Sequence, residues 1–134
     1  MTSKVSYLGN LRTESVHTSS NKKIVTDAPT DNNGKGEAFS PTDLVASSLS
    51  SCILTVIGIV SKQIKYDLTN TTSSVKKIMG DNPRRIVEIE VKIEFSQSTD
   101  SKKRAIIEKT ALNCPVAKSL HPDIKQNISF IWPD

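Results

Sequence analysis

A chain of 134 residues is long enough to bury one hydrophobic core, and we expect a single domain over residues 1–134. Its 18 Lys and Arg outnumber its 14 Asp and Glu, but this excess of +4 is spread thinly and aromatic residues make up only 4%. These numbers argue against a nucleic-acid-binding surface, which needs clustered basic residues with interleaved aromatics. No apolar run opens the sequence, so we expect no secretory signal and predict a cytoplasmic location.

The first third of the chain has the pattern of a short β-meander followed by a loop. Strands are predicted at Lys4–Leu8, Thr13–Thr18 and Lys23–Thr26, with a turn at Gly9-Asn10 between the first two. Residues 27–36 are rich in Asp, Asn, Gly and Pro, which is the composition of a loop. We therefore expect three antiparallel strands that lead through this loop into the next element.

Residues Ser40–Lys65 are predicted to form one long helix with Cys52 near its middle. Ser40 can cap the helix, Pro41 suits its first position, and Asp43 completes a variant of the capping box. Apolar residues on nearly every side of the helix indicate that protein surrounds it. Its clustered serines argue against a membrane span, so no membrane partner is expected.

The second half of the chain alternates between strands and helices. A weakly specified strand is predicted within Tyr66–Met79, followed by a turn at Gly80–Pro83. Val87–Phe95 is the clearest strand, because apolar and charged residues alternate along it. A helix is expected over Ser98–Leu112 and a final strand over Ile124–Trp132. This order of elements predicts an α+β fold with helices packed against a largely antiparallel sheet.

Two cysteines, Cys52 and Cys114, are the chain's only thiols. Without an export signal they are better evidence for thiol or redox chemistry than for a structural disulfide. Cys114 stands just before Pro115, at the predicted start of a short helix that ends near Leu120. Because a helix N-terminus favours an anion, a thiol there is expected to have a depressed pKa. The alternative is that both cysteines are ordinary buried residues.

The segment SPTDLVASSLSSC, and the segment CPVAKSL that begins sixty-two positions after its cysteine, resemble the OsmC/Ohr superfamily of thiol-dependent hydroperoxide reductases. The resemblance is to the OsmC-like branch, and in element order it covers nearly the whole chain. It implies a single OsmC-like domain in which antiparallel sheets wrap around a long central helix. It also implies an intertwined homodimer with two active sites at the subunit interface.

The resemblance assigns roles to the two cysteines. Cys52 matches the peroxidatic cysteine, which would attack an organic hydroperoxide and become a sulfenic acid. Cys114 matches the resolving cysteine, which would form a disulfide with Cys52 that a dithiol reductant then reduces. Leu49 and Val56, one helical turn from Cys52, are expected to line a site for alkyl hydroperoxides. No cofactor and no metal are expected.

Hydroperoxidases of this superfamily pair an arginine with a glutamate to orient and activate the nucleophile. The glutamate position, ten residues before the cysteine, is Thr42 in this chain, and the acid next to it is Asp43. Asp43 lies about 13.5 Å along the helix from Cys52, so it would act only from another subunit or after rearrangement, and otherwise it is a cap. Glu37 is another candidate acid. Arg12, the only arginine in the leading strands, is the candidate for stabilising the thiolate, with a surface arginine as the equal alternative.

The leading hypothesis is therefore a cytoplasmic, dimeric peroxidase that uses Cys52 and Cys114. A non-catalytic OsmC-like binding or redox-sensing domain is the second hypothesis, and Thr42 at the glutamate position favours it. A third, acyl transfer from Cys52, lacks a suitably placed histidine. His17 and His121 are far apart and have no carboxylate or cysteine at ligand spacing, which also argues against a metal site.

Overall fold

The computed structural model describes residues 1–134, and the chain divides into two compact units, Met1–Val45 and Ala46–Asp134. The elements in chain order are β1 (Ser3–Gly9), β2 (Arg12–His17), β3 (Lys23–Asp27), a short 3-10 turn (Thr30–Asn32), α1 (Pro41–Gln63), β4 (Thr72–Gly80), β5 (Arg85–Glu94), α2 (Ser101–Ala111), α3 (Pro115–Ser119) and β6 (Lys125–Ile131). The predicted α+β class and the predicted order of elements are confirmed. The strands form two separate three-stranded sheets. The single domain stays a prediction.

The first unit is an antiparallel sheet in the order β1–β2–β3. The turn between β1 and β2 forms as predicted, because Gly9, Asn10 and Leu11 all adopt the positive φ angles of a tight reversal, at 88°, 54° and 62°. The loop after β3 is compact, since a side chain at Gly34 would collide with the carbonyl oxygen of Ala28. This loop leads directly into α1.

One face of the first-unit sheet carries three exposed apolar side chains. Val5 pairs with Ser15, which pairs with Ile24, and residues paired across antiparallel strands share a face. Tyr7 lies on the same face, two residues along β1. Val5, Tyr7 and Ile24 are 60%, 67% and 52% exposed. We call these three side chains the meander face, and soluble proteins tend to cover apolar patches of this kind with a partner.

The long helix α1 has defined signals at both ends. Ser40 Oγ accepts a hydrogen bond from the Asp43 N–H (3.0 Å), and Asp43 Oδ2 accepts one from the Ser40 N–H (2.9 Å). This reciprocal pair is the predicted capping box. At the other end Lys65 adopts a left-handed conformation (φ 59°) and the Tyr66 N–H donates to the Ser61 carbonyl (2.8 Å). The helix therefore ends in a Schellman motif, with a lysine where glycine is usual.

The second unit builds its core between α1 and β5. Its sheet has the order β4–β5–β6, with β4 antiparallel and β6 parallel to β5. The parallel pairing is possible because α2 and α3 carry the chain back before β6 begins. The alternation predicted for β5 is confirmed, since Ile89, Val91 and Ile93 are buried. They share one apolar cluster with Leu49, Ile53 and Ile57 of α1 and Ile107 of α2. Burial of each such side chain contributes about 1.5–3 kcal/mol.

The prediction that protein surrounds α1 on nearly every side is wrong for the single chain. Its buried residues form one stripe: Ala46, Leu49, Ser50, Ile53, Ile57 and Ser61. Ile59 is 60% exposed, because the chain supplies only one sheet face for the helix to pack against. By length and composition alone α1 is also the one helix that could cross a membrane. Core helices of soluble proteins have the same character, so this is weak evidence for a span.

An aromatic cluster joins the end of the chain to α2. The Trp132 ring stacks on Phe95 (3.7 Å between centroids), and its Nε1–H donates to Glu108 of α2 (2.9 Å). The guanidinium of Arg104, also on α2, lies 5.2 Å from the centre of the same ring. These contacts fix α2, and α2 carries the chain to Cys114.

Candidate thiol site

Cys52 lies in the middle of α1 at the border of the core. Its side chain is half-buried and reduced, next to the fully buried Ile53. The expectation that Leu49 and Val56 line a site for alkyl hydroperoxides stays a prediction, and in the single chain Leu49 is 0% exposed and belongs to the core. Val56 is half-buried and packs against that core. The thiol of Cys52 therefore lies at the edge of the apolar core and is partly exposed.

Cys114 occupies the predicted position at the start of α3. It is the N-cap residue, with an extended backbone (φ −74°, ψ 154°), and Pro115 takes the first helical position. Its Sγ accepts a hydrogen bond from the Ala117 N–H at 3.3 Å. The side chain is fully buried, so its thiol is shielded from solvent.

The two thiols lie close enough to interact. Burial raises the pKa of the Cys114 thiol above its ordinary value, and the hydrogen bond from Ala117 opposes this only in part. Cys52 raises the pKa of Cys114 further, through a side-chain hydrogen bond and through its charge. Folding thus brings together two cysteines that are sixty-two positions apart in the sequence.

The pKa expected for Cys114 is wrong in sign. The sequence predicts a depressed value from the helix N-terminus, but desolvation of the buried thiolate outweighs that effect. The helix behind Cys114 has only five residues, so its dipole is small, and the backbone N–H groups of Ala117 and Val116 offset the desolvation only in part. Cys114 is therefore held as a neutral thiol near neutral pH.

Arg12, in β2, is held by two carboxylates of the first unit. Its Nε donates to Asp27 Oδ1 (2.7 Å) and its Nη2 to Asp27 Oδ2 (2.8 Å), which is a bidentate pair. Nη2 also contacts Glu37 Oε1 at 3.2 Å. Asp27 is only 1% exposed, and the guanidinium holds the pKa of its carboxyl below the ordinary value. Arg12 is therefore a fixed cation in the structure.

Asp43 contributes to the capping box that starts α1, as its hydrogen bonds with Ser40 show. Thr42, at the position of the superfamily's glutamate, hydrogen-bonds to Ser40 through its hydroxyl (3.2 Å). The catalytic assignments of Asp43 and Arg12 stay predictions, as do the roles of Cys52 and Cys114.

The structure contains no group of three or more His, Cys, Asp or Glu side chains arranged to hold a metal ion. His17 Nδ1 pairs with the Ser20 hydroxyl (2.6 Å), and His121 Nδ1 accepts from the Asp123 N–H (3.0 Å). Each histidine thus has a local partner within three residues. The expectation that the protein uses no cofactor stays a prediction.

Comparison with known proteins decides the family. Residues 34–129 match the family described as OsmC-like protein, a segment that contains α1, both cysteines and most of β6. The chain belongs to the OsmC-like protein family. This confirms the superfamily inferred from the segments around Cys52 and Cys114. Among curated proteins, none matches the sequence.

Solved structures agree with this family. A protein from Psychrobacter arcticus 273-4, described provisionally as an osmotic stress induced and detoxification response protein, is 54% identical, with 97% of this chain and 95% of that chain covered and a TM-score of 0.94. An organic hydroperoxide resistance protein OsmC from Legionella pneumophila is 16% identical (98% and 97% covered, TM-score 0.76). An OsmC-like protein from Mycoplasma pneumoniae is 14% identical (98% and 96% covered, TM-score 0.81). The two distant structures show that the fold is shared.

Sequence reasoning missed one charged residue of this OsmC-like protein, Asp27. It reads as the first residue of a polar loop, whereas the structure places it at the end of β3, directly across from Arg12 of β2. The signal that could have found it is the strand register, because the reversal at residues 18–22 and the antiparallel pairing of β2 with β3 bring the two positions together.

Proposed function

We propose that this OsmC-like protein reduces organic hydroperoxides, with Cys52 as the peroxidatic cysteine and Cys114 as the resolving one. The observation that carries the proposal is that folding places a half-buried and a fully buried thiol near enough for Cys52 to raise the pKa of Cys114. Membership of the OsmC-like family supports it. The name of the Legionella pneumophila protein points to the same substrate class.

The proposed reaction has two chemical steps. The Cys52 thiolate attacks the distal oxygen of the hydroperoxide, the O–O bond breaks, and the alkoxide takes up a proton to leave as an alcohol. Cys52 is then a sulfenic acid. The sulfur of Cys114 attacks the Cys52 sulfur, an S–S bond forms, and water leaves with the proton of the Cys114 thiol. A dithiol reduces this disulfide by exchange and restores both thiols.

The raised pKa of Cys114 fits its proposed role. A thiol that stays protonated near neutral pH does not compete with Cys52 for the hydroperoxide, because the thiolate is the nucleophile. In the resolving step the Cys114 thiol passes its proton to the departing hydroxide as its sulfur attacks the sulfenic acid of Cys52, so the attacking sulfur becomes a thiolate there. The environments of the two cysteines thus assign different steps to them.

Arg12 stays the candidate for stabilising the thiolate of Cys52, as the resemblance to the superfamily implies. A guanidinium is always charged, and its planar fork can present donors to an anion in a fixed direction. Nε and Nη2 are engaged by the two acids, so Nη1 stays available to an anion. For Asp43 we retain the capping role as its main function, because both of its hydrogen bonds with Ser40 serve the helix start.

The proposal includes a cytoplasmic homodimer. The meander face exposes Val5, Tyr7 and Ile24, and α1 exposes Ile59 on the side away from its own core. A second copy of the chain would cover apolar surface of this kind, as isologous contacts do in symmetric dimers. The cytoplasm also supplies the reducing dithiols that the catalytic cycle consumes.

A redox-sensing domain without turnover is the second candidate. It is favoured by Thr42, which replaces the expected glutamate with a neutral hydroxyl bonded to Ser40. In that case Cys52 and Cys114 would still form a disulfide, but slowly and without specificity for organic hydroperoxides.

A single-turnover experiment tests the proposal. Reduced protein is mixed with one equivalent of cumene hydroperoxide, and the remaining thiols, the alcohol product and the protein mass are measured. We expect both thiols to be lost, one equivalent of alcohol, and a disulfide between Cys52 and Cys114. The Cys114→Ser variant should stop at a Cys52 sulfenic acid that dimedone traps. Equal consumption of hydroperoxide by the Cys52→Ser variant would contradict the proposal.

A further inference from the structure

We propose that Gln126 is a positioning residue for the resolving step, which holds α3 so that the sulfur of Cys114 stays in position to attack Cys52. Gln126 lies on β6 and acts through Ala117, the residue whose N–H donates to Cys114. This inference rests on the proposed function, in which Cys114 attacks the sulfenic acid of Cys52.

Gln126 interrupts the apolar side of β6. The strand alternates between exposed and half-buried residues, and Gln126 shares the half-buried side with Ile128 and Phe130. It is paired with Ile89 of β5, which is fully buried. An amide on the core-facing side of a strand costs free energy unless it is hydrogen-bonded, so the partner of this side chain matters.

That partner belongs to α3. The Nε2–H of Gln126 donates to the carbonyl of Ala117 at 3.0 Å. The N–H of the same Ala117 donates to Cys114 Sγ at 3.3 Å. Ala117 is thus held on two sides, by the thiol through its N–H and by β6 through its carbonyl.

The helix α3 depends on such support because it is short. It has five residues, Pro115–Ser119, and a helix of this length is not stable by itself in water. The carbonyl of Ala117 lies near the C-terminal end, where a helix leaves its own carbonyls without a donor. The hydrogen bond from Gln126 therefore restrains this end of α3 and keeps the Ala117 N–H next to the sulfur.

The resolving step requires a narrow geometry of the two cysteines. A disulfide forms without strain only where the Cα atoms lie roughly 4.4–6.8 Å apart and the Cβ atoms point toward each other. Cys114 is fully buried, so its position relative to Cys52 is set by the packing of α3. A shift of α3 should slow the formation of the S–S bond but leave the first step, at the half-buried Cys52, unchanged.

The first test measures the resolving step by itself. Reduced protein is mixed with one equivalent of cumene hydroperoxide and quenched in acid at increasing times, and mass spectrometry quantifies the Cys52 sulfenic acid and the disulfide. Gln126→Met keeps the length of the side chain but removes the donor. We expect the sulfenic acid to persist about fivefold longer in this variant, the effect typical of one hydrogen bond.

Asn127→Ala is the matched control. Asn127 is the next residue of β6, on its exposed side, and its amide donates to Glu88 at 3.4 Å. Its loss removes an amide from the same strand without touching α3, so the lifetime of the Cys52 sulfenic acid should not change. An equal effect of Asn127→Ala and Gln126→Met would overturn the inference.

The pH profile of Cys114 alkylation separates positioning from a structural role. Burial raises the pKa of Cys114 and the Ala117 N–H lowers it, while Cys52 is the titratable group that acts on it. If Gln126 holds that N–H to the sulfur, Gln126→Met should move the midpoint to higher pH, with Cys114 still buried. If Gln126 only stabilises α3, its loss should admit water and move the midpoint down toward the ordinary value. A midpoint that falls or stays unchanged would therefore overturn the inference.

A second variant guards against poor folding of Gln126→Met, with the fluorescence of Trp132, the only tryptophan, as the check on folding. Gln126→Glu keeps the shape of the side chain, but an ionised carboxylate has no hydrogen for the Ala117 carbonyl. It should lengthen the lifetime of the sulfenic acid at least as much. In the Cys114→Ser background, Gln126→Met should leave the rate at which Cys52 is oxidised unchanged, because Gln126 acts through Cys114. A normal lifetime in Gln126→Glu, or a slower oxidation of Cys52 in that background, would contradict the positioning role.

The outcomes distinguish this inference from the proposed function. If the wild-type protein does not reduce hydroperoxide, the peroxidase proposal fails, while Cys114 alkylation and disulfide formation with diamide still report whether Gln126 positions Cys114. If the wild type resolves its sulfenic acid and Gln126→Met does so at the same rate, only the role of Gln126 is contradicted.

Discussion

The half-buried thiol of Cys52, in the middle of α1, interacts with the buried thiol of Cys114 at the start of α3. The helix that carries Cys52 is anchored in the core by Ile53 and Ile57. Cys114 is anchored differently, by an N-cap hydrogen bond from Ala117. The proximity of the two thiols therefore depends on tertiary packing, and neither segment alone would maintain it.

The first prediction concerns the reactivity of Cys114. Because burial and Cys52 raise its pKa, the alkylation rate of Cys114 should reach its half-maximum at a higher pH than that of a free cysteine, about 8.5. Cys52→Ala removes one of the two causes, so the midpoint should fall but stay above the free value. Peptide mass spectrometry after timed alkylation measures both. A midpoint below that of free cysteine would contradict the burial argument.

The second prediction concerns stability in acid. Asp27 has a lower pKa in the folded protein than in the unfolded chain, where about 3.9 is expected. Its ion pair with Arg12 therefore stabilises the fold fully above the unfolded pKa, and this contribution is lost as pH falls through the folded pKa. Urea unfolding at a series of pH values should show a steeper loss of stability below about pH 4 for the wild type than for Asp27→Asn. Parallel curves would contradict the ion pair's contribution.

The third prediction separates the two roles considered for Asp43. Asp43→Ala should lower the free energy of unfolding by about 1 kcal/mol, because the Ser40 N–H loses its acceptor. Asp43→Asn keeps an acceptor oxygen and should lose only a few tenths of that value, from the helix dipole. Both variants should alkylate at Cys52 as the wild type does. A slower Cys52 in Asp43→Asn would instead show that the charge of Asp43 acts on the thiol.

The fourth prediction concerns the meander face. A chain of 14.7 kDa should run at twice that mass in native mass spectrometry and in light scattering. Tyr7→Lys places a charge on the exposed apolar face and should shift the equilibrium toward the monomer. Ser6→Lys is the matched control, because Ser6 is the neighbour in β1 that points to the opposite face of the sheet. Equal effects of the two substitutions would contradict the proposed interface.

Local sequence signals predicted the elements well, where one short-range cause dominates. Ser40 and Asp43 predicted the start of α1, and the alternation from Val87 to Phe95 predicted β5. Pro115 indicated that Cys114 is an N-cap residue. Segment boundaries moved by only a few residues, except for β4, whose polar residues carry little periodicity. Hydrogen bonds between neighbours in sequence explain this success.

Properties that depend on distant residues were not predictable from local patterns. The sequence did not show that Asp27 faces Arg12, because their contact needs the register of the β2–β3 hairpin. It gave the wrong direction for the pKa of Cys114, since burial by residues far along the chain outweighs the local helix terminus. It overestimated how much of α1 is covered, because the single chain leaves apolar residues such as Ile59 exposed.

Steady-state consumption of cumene hydroperoxide in the presence of a dithiol tests the central claim most directly. We predict that the wild-type protein turns over many equivalents and that Cys52→Ser consumes none. At a low concentration of the dithiol, the Cys114→Ser variant should consume one equivalent of hydroperoxide and then stop. The Cys52 sulfenic acid of this variant has no second cysteine to form a disulfide with. A wild-type protein that forms the Cys52–Cys114 disulfide but never turns over, or a Cys52→Ser variant with normal activity, would contradict the account.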